Sequence, residues 1–163
     1  MTQYLLDLVT NPILITALSS FLVAQIIKLF LHAIIYKKFD IMRLFGDGGM
    51  PSGHSAMVSS VATICGLLHG FGSTEFAITA TLAFIVCHDA KGVRREAGRH
   101  AVVLNDLLRA FQNMTKEKVT EVKFKEFVGH SPVQIAAGIC IGISNAFFMY
   151  FVVFWNQISS TIS

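Results

Sequence analysis

The sequence predicts an all-α protein, a polytopic membrane helical bundle of about four transmembrane helices with one further interfacial helix on the cytoplasmic side. Of its 163 residues, 53% are hydrophobic and 14% are charged, and the mean hydropathy is +0.61. Such values are typical of chains that place helices in a bilayer and differ from those of soluble globules. A chain of this length corresponds to one domain, so we assign residues 1–163 to a single membrane domain.

The first apolar run, at about residues 13–36, is long enough to cross a membrane as a helix of roughly 36 Å. An Asn-Pro pair before it is typical of an N-cap followed by a first-turn proline. Gln25, Lys28 and His32 lie in this run at spacings of three and four, on one helical face. We expect Lys28 to face the bundle interior, and the alternative is that its side chain extends to the membrane interface.

Two shorter apolar runs, at about residues 55–69 and 74–88, predict a helical hairpin around a Gly-Phe-Gly turn, with a Ser or Thr cap before the second helix. The last run, at about residues 132–155, again has the length of a span. It contains Gly138 and Gly142, a small-xxx-small pair that allows close helix contact but is common by chance in apolar runs.

The sizeable polar region of residues 89–131 is expected to be a cytoplasmic loop that includes the interfacial helix. Apolar residues recur in it at helical spacing, at Ala97, Ala101, Leu104, Leu108 and Phe111. A helix with such a face is suited to lie on a membrane interface or to dip into it.

Lys and Arg are unevenly distributed about the four predicted spans. Apart from Lys28, they all fall in the two loops on one side, at Lys37, Lys38, Arg43, Lys91, Arg94, Arg95, Arg99, Arg109, Lys116, Lys118, Lys123 and Lys125. The positive-inside rule assigns that side to the cytoplasm. We therefore expect an integral protein of a bacterial cell membrane, with its candidate site on the cytoplasmic face.

Residues 46–56 combine a glycine-rich turn with Pro-Ser-Gly-His at the start of an apolar run. Proline suits a first helical turn, Ser52 is a candidate N-cap, and Gly53 lets the backbone approach a ligand. The amides and dipole of such a helix start attract phosphate, and His54 exchanges a proton near neutral pH. The stretch therefore indicates phosphoryl chemistry; the alternative is an ordinary turn with a capping or surface histidine.

Two further clusters lie on the same predicted side. Residues 88–100 contain Asp89 and the paired Arg94 and Arg95, whose guanidinium groups match phosphate oxygens; the alternative is a basic loop that sets topology and contacts anionic lipid. A Gly-His-Ser-Pro turn at the entry of the last span presents His130, either on the surface that carries His54 or as an incidental histidine in a capping turn.

Two histidines suit the cleavage of a phosphomonoester. One attacks phosphorus and becomes a phosphohistidine, while the other protonates the leaving oxygen. Lysine, arginine and helix-start amides neutralise the charge of the transition state. This scheme needs no metal or other cofactor, and the sequence shows no His, Cys or carboxylate set at metal-ligand spacing.

These motifs resemble those of the phosphatidic acid phosphatase type 2 and vanadium haloperoxidase superfamily, in particular its divergent branch of small membrane proteins. The resemblance rests on Gln25-x-x-Lys28, the segment Gly48 to Ala56, the segment Asp89 to Gly98, Leu104-Asn105, and Gly129-His130-Ser131-Pro132. It implies a helical bundle that cleaves phosphate from lipid or isoprenoid phosphates without a metal. By the same resemblance His54 is the general acid, His130 the nucleophile, and Lys28, Ser52 and Gly53 phosphate-binding residues.

The chain departs from the superfamily pattern in three places. It lacks the arginine that follows the first-motif lysine and the Ser-Arg pair before the nucleophilic histidine, and Gln134 stands where that motif has an acid. Arg94 or Arg95 is a candidate replacement for the missing arginine, and Asp89 is a candidate for the missing acid.

Two functions from different classes therefore remain open. The first is a membrane phosphatase that hydrolyses a lipid or isoprenoid phosphate through a phosphohistidine intermediate. The second is a non-catalytic membrane protein that binds phospholipid headgroups or a protein partner through the same residues. The expected partners are a phosphorylated lipid and the bilayer, without nucleic acid, and a homo-oligomer is left open. Transport of a phosphorylated lipid is disfavoured, because four spans are few for alternating access.

Overall fold

The computed structural model describes residues 2–37, 49–115 and 131–154, and nearly all of these residues are helical. The helices are α1 (Thr2–Val9), α2 (Pro12–Tyr36), α3 (Gly53–His69), α4 (Thr74–Lys91), α5 (Val93–Thr115) and α6 (Pro132–Phe148), and α6 continues as a π-helical turn, Met149–Val153. No strand occurs among the described residues. The prediction of an all-α fold is confirmed.

Polar side chains cap the helices at the starts that the sequence predicts. The side chain of Asn11 accepts a hydrogen bond from the amide of Ile13 at 2.9 Å and begins α2. Ser52, Ser73 and Ser131 cap α3, α4 and α6 in the same way. Each cap gives a partner to an amide that has none within its helix, so local chemistry sets where these helices begin.

Two of the described helices are long and apolar enough to cross a membrane, namely α2 and the combined helix Pro132–Val153. The helices that correspond to the predicted spans 55–69 and 74–88 do not meet this criterion. The first, α3, has 17 residues, and the second, α4, has 18 residues with Glu, Asp and Lys among them and extends to Lys91. Length and composition thus support two spans, and the remaining two stay a prediction.

The central helix of the bundle is α3, against which α2, α4 and α6 all pack. It runs antiparallel to α2, because Gly53 lies beside Gln25 while Ser60 donates to the carbonyl of Thr16 at 3.5 Å. It runs parallel to α6, because the amide of Ser52 donates to the carbonyl of Gln134 at 3.0 Å and the contacts then advance along both helices. The two N-termini of α3 and α6 therefore lie side by side.

The pair Gly138 and Gly142 forms the contact surface of α6 on α3. A Cβ atom on Gly138 would overlap the carbonyl oxygen of Ser52, and a Cβ on Gly142 would overlap the carbonyl of Ala56 and the Oγ of Ser59. Small residues at these positions let two backbones approach, as in close-packed membrane helices. The small-xxx-small pair, although such pairs are common by chance in apolar runs, is therefore a main packing feature of the bundle.

A polar contact joins α6 to α2. The amide nitrogen of Asn145 donates to the hydroxyl oxygens of Ser19 and Ser20, at 2.9 and 2.8 Å. Interhelical hydrogen bonds of this kind contribute about 0.6 kcal/mol each within a bilayer, where water cannot replace them. Together with the glycine contacts they fix how α2, α3 and α6 sit along one another.

Candidate functional site

The turn before α3 lies against the middle of α2. Gly49 has a φ of +90°, in the left-handed region that favours glycine, and a Cβ built on it would be 3.5 Å from Cδ of Lys28. Lys28 is 6% exposed. Its side chain therefore lies inside the bundle against the glycine-rich turn, which corresponds to the interior placement that the sequence favours.

Ser52 holds this turn in place through several hydrogen bonds. Its hydroxyl oxygen accepts from the amide of Ser55 at 3.3 Å and from the hydroxyl of Ser55 at 3.0 Å, and its side chain is fully buried. Its own amide donates to the carbonyl of Gln134. The predicted N-cap is confirmed, and the same residue ties the turn to the first turn of α6.

His54 lies in the first turn of α3 and is exposed. Its ring makes an edge-to-face contact with Phe21 of α2, with centroids 6.4 Å apart. The neighbouring Gly53 allows this approach, since a Cβ there would be 3.0 Å from Cε2 of Phe21. The helix start thus presents an imidazole at the surface while its backbone packs directly on α2.

The structure brings together four of the predicted site residues, which we call the turn site: Lys28, Ser52, Gly53 and His54. They lie along one side of α2, because Gly49 packs against Lys28 while Gly53 and His54 pack against Phe21. Sequence reasoning missed Phe21 as a member of this surface. Its spacing of four residues before Gln25 and seven before Lys28 is the signal that places it on the same face.

The other predicted site residues are described less completely. Asp89 lies in the last turn of α4. Because α3 and α4 form an antiparallel hairpin closed at Gly70, Asp89 lies at the end of the hairpin that also carries His54. Arg94 and Arg95 lie in the first turn of α5, and their side chains fall outside the described part of the structure, as does the whole of residue His130.

Gln134, which stands where the superfamily has an acid, takes part in a capping box. Its side-chain oxygen accepts from the amide of Ser131 at 2.9 Å, and its amide donates to the hydroxyl oxygen of Ser131 at 3.3 Å. This reciprocal pair satisfies two amides at the start of α6. The residue at this position therefore has a structural function that a glutamate would also serve.

Replacement of Gln134 separates its capping function from its amide chemistry. We expect Gln134→Ala to lower the free energy of unfolding by about 1 kcal/mol, since one half of the capping box is lost. We expect Gln134→Glu to retain the stability of the natural protein, because the carboxylate accepts the same hydrogen bond near a positive helix end. Thermal unfolding in detergent, followed by circular dichroism, measures both; equal losses in the two variants would contradict the capping function.

The turn site lies well below the end of α2. After Lys28, α2 continues to Tyr36, a distance of roughly 12 Å along the helix axis. His32 lies one turn beyond Lys28 and stacks on Tyr36, with ring centroids 4.6 Å apart. The cation therefore lies about two helical turns before the end of α2.

No group of three or more His, Cys, Asp or Glu residues that could hold a metal ion occurs in the part of the chain that the structure describes. The chemistry that the described turn site offers consists of a buried ammonium group, a capped helix start and an exposed imidazole. Each of these groups is suited to an anionic ligand, and the imidazole adds proton transfer.

Comparisons with known proteins agree with these observations. The sequence profile of the Divergent PAP2 family matches residues 9–145. The chain is 37% identical over 147 residues to the "Uncharacterized membrane protein YuiD" of Bacillus subtilis (strain 168), an alignment that covers 85% of this chain and 93% of the relative. No solved structure matches the chain significantly. The resemblance that the sequence motifs indicate is therefore confirmed, and this protein belongs to the Divergent PAP2 family.

Proposed function

We propose that this protein is a membrane phosphatase that hydrolyses a lipid or isoprenoid phosphate through a phosphohistidine intermediate. The observation that carries the proposal is the packing of buried Lys28 against the turn at Gly49, directly before the helix start that carries His54. A cation, a helix N-terminus and a proton-exchanging ring thus lie along neighbouring turns of α2. That combination is suited to bind a phosphate and to protonate an oxygen attached to it.

The energetic basis is the stabilisation of a phosphate by the positive charges beside it. The first amides of α3 point out of the helix, and its dipole adds a partial positive charge at the same place. The ammonium group of Lys28 adds a full charge, which interacts more strongly with an anion in a low-dielectric setting than in water. Gly53 is proposed to contribute backbone close to the anion, Ser52 holds the turn through its cap and its bond to Gln134, and Arg94 or Arg95 is the proposed further clamp on the phosphate oxygens.

The proposed reaction has two steps that balance. In the first, an imidazole nitrogen of His130 attacks phosphorus, the P–O bond to the lipid breaks, and protonated His54 gives its proton to the leaving oxygen. In the second, His54 takes a proton from water, the resulting hydroxide attacks phosphorus, and the P–N bond breaks to release phosphate and free His130. Asp89 is proposed to stabilise the imidazolium form of a histidine, in place of the acid that Gln134 replaces.

The proposed topology is an integral membrane bundle of four spans with the turn site on the cytoplasmic face. The distribution of Lys and Arg on one side of the helices supports it. The relative from Bacillus subtilis is named a membrane protein, and α2 and α6 have the length and composition of spans. We propose that α3, at the centre of the bundle, and α4, packed against it, are the other two spans.

A second candidate is a non-catalytic protein that binds phospholipid headgroups at the same site. The observation that favours it is that a neutral residue, Gln134, stands where the superfamily has an acid. Its side chain forms the capping box of α6 and carries no charge. In this case the turn site binds phosphate, and no P–O bond breaks. The two candidates predict the same ligand and differ in turnover.

The test is phosphate release by the purified protein in detergent, with phosphatidic acid and a polyprenyl phosphate as substrates. We expect turnover that vanadate inhibits, and we expect His54→Asn to lower kcat by about 10²- to 10⁴-fold through loss of general acid catalysis. His69→Asn is the matched control, because His69 is an exposed histidine at the opposite end of the same helix. Binding of these lipids without release by the natural protein would select the non-catalytic candidate.

A further inference from the structure

The helix α5 has three distinct faces. One stripe along it is buried or half-buried, and it comprises Gly98, Ala101, Asn105, Leu108 and Gln112. These residues follow one another at spacings of three and four, so they share one side of the helix. This stripe is therefore the side of α5 that other parts of the protein cover.

The second face is apolar and exposed. It comprises Val103, Leu104, Leu107, Phe111 and Met114, and exposure within it reaches 60% for Leu107 and 85% for Met114. These side chains lie about 120° around the helix from the buried stripe, by the rotation of roughly 100° per residue. Contiguous apolar surface of this kind marks a site of contact with a membrane or another protein.

The third face is polar and exposed, and it completes the circumference. Its polar members are Arg99, Asp106, Arg109 and Asn113, and the exposed Val102 lies among them. Both arginines form ion pairs along the helix, with Glu96 at 3.0 Å and with Asp106 at 3.6 Å. Exposed pairs of this type are weak, so both guanidinium groups are available to exchange a carboxylate for an anionic headgroup.

We infer that α5 lies in the plane of the bilayer surface, with its apolar face inserted among lipid chains and its arginine face at the level of anionic headgroups. The buried stripe then faces protein, the apolar face contacts lipid chains, and the polar face contacts water and headgroups. This arrangement is typical of a helix at a membrane interface. This inference does not depend on turnover of a lipid phosphate.

The position of α5 in the chain favours lipid as the occupant of the apolar face. Only Gly92 separates it from α4, whose exposed residues include Leu82, Phe84 and Ile85. In the proposed topology α5 thus begins directly after a helix that spans the membrane, which places its first turns beside lipid. Basic residues beside an interfacial apolar face are typical of helices that bind anionic membranes.

The test uses tryptophan fluorescence of the full chain in vesicles that contain phosphatidylglycerol. The protein has a single tryptophan, so Trp155→Phe provides a background without emission. Into it we place Phe111→Trp on the apolar face or Asn113→Trp on the polar face, about 160° apart. With brominated acyl chains, Phe111→Trp is expected to lose most of its emission, whereas Asn113→Trp keeps its emission and is quenched by aqueous iodide.

Emission from Phe111→Trp that brominated lipid leaves unchanged would overturn the inference. Iodide quenching would then show a face in water, and protection from both quenchers would show that another segment or a second copy covers it. Leu107→Trp and Asp106→Trp form a second pair of adjacent residues on the same two faces. This pair keeps the comparison decisive if either variant of the first pair does not fold, as judged by helical circular dichroism.

Discussion

Gly142→Ala is expected to destabilise the bundle by about 2 kcal/mol, although alanine is the better helix former by about 1 kcal/mol. The added Cβ would overlap the carbonyl of Ala56, which is backbone and has little freedom to move. The two helices must separate to accept it, and the hydrogen bond from Ser52 to Gln134 would be strained by the same movement. Thermal unfolding in detergent is expected to show the loss as a lower Tm.

Gly72→Ala provides the matched control for this prediction. Nothing lies within 4 Å of a Cβ at Gly72, so the same chemical change there meets open space. We expect this variant to unfold at the temperature of the natural protein. An unchanged Tm for Gly142→Ala would show that α3 and α6 approach less closely than the structure indicates. Gly138→Ala tests the same interface at the carbonyl of Ser52.

Lys28→Met is expected to weaken the binding of a short-chain phosphatidic acid by about 10- to 100-fold, since a hydrogen bond to a charged group is worth about 1.5–3 kcal/mol. Methionine retains much of the aliphatic length that lies against Gly49, so we expect the bundle to keep its helical circular dichroism. Titration calorimetry in detergent measures the affinity. The prediction applies to the catalytic and to the non-catalytic candidate alike.

Lys37→Met is the control, because Lys37 is an exposed residue directly after the last turn of the same helix. It removes the same charge from the chain, about nine residues or roughly 13 Å further along the axis. Equal affinity in the natural protein and Lys28→Met would place the phosphate elsewhere. Equal losses in both variants would indicate an effect of net charge rather than of the buried ammonium group.

Local chemistry explains why much of the fold could be predicted from the sequence. The starts of α2, α4 and α6 follow from Asn11, Ser73 and Ser131, each a side chain that caps a helix through contacts with residues two or three positions away. The helical character of α5 follows from the spacing of its apolar residues, which is also a local property. Family membership follows from short motifs that can be recognised in the sequence, such as the segment Gly48 to Ala56.

The features that could not be predicted depend on how distant helices are aligned. No local pattern in the sequence indicates that Gly49 lies against Lys28, or that α3 begins beside the middle of α2. Gly138 and Gly142 resemble a chance pattern until α3 supplies the carbonyl oxygens against which they pack. The weak N-terminal signal also hides α1, a helix whose described side chains are all exposed.

The parallel arrangement of α3 and α6 sets two positive helix ends next to each other, each equivalent to about half an elementary charge. Two like poles repel, so this pair is at an electrostatic disadvantage that an antiparallel pair would not have. An anion bound at the turn site, beside the start of α3, would reduce this repulsion, and its binding would then tighten the contact between the two helices. The hydrogen bond from Ser52 to Gln134 would be the first to report that tightening, as slower amide exchange at Ser52.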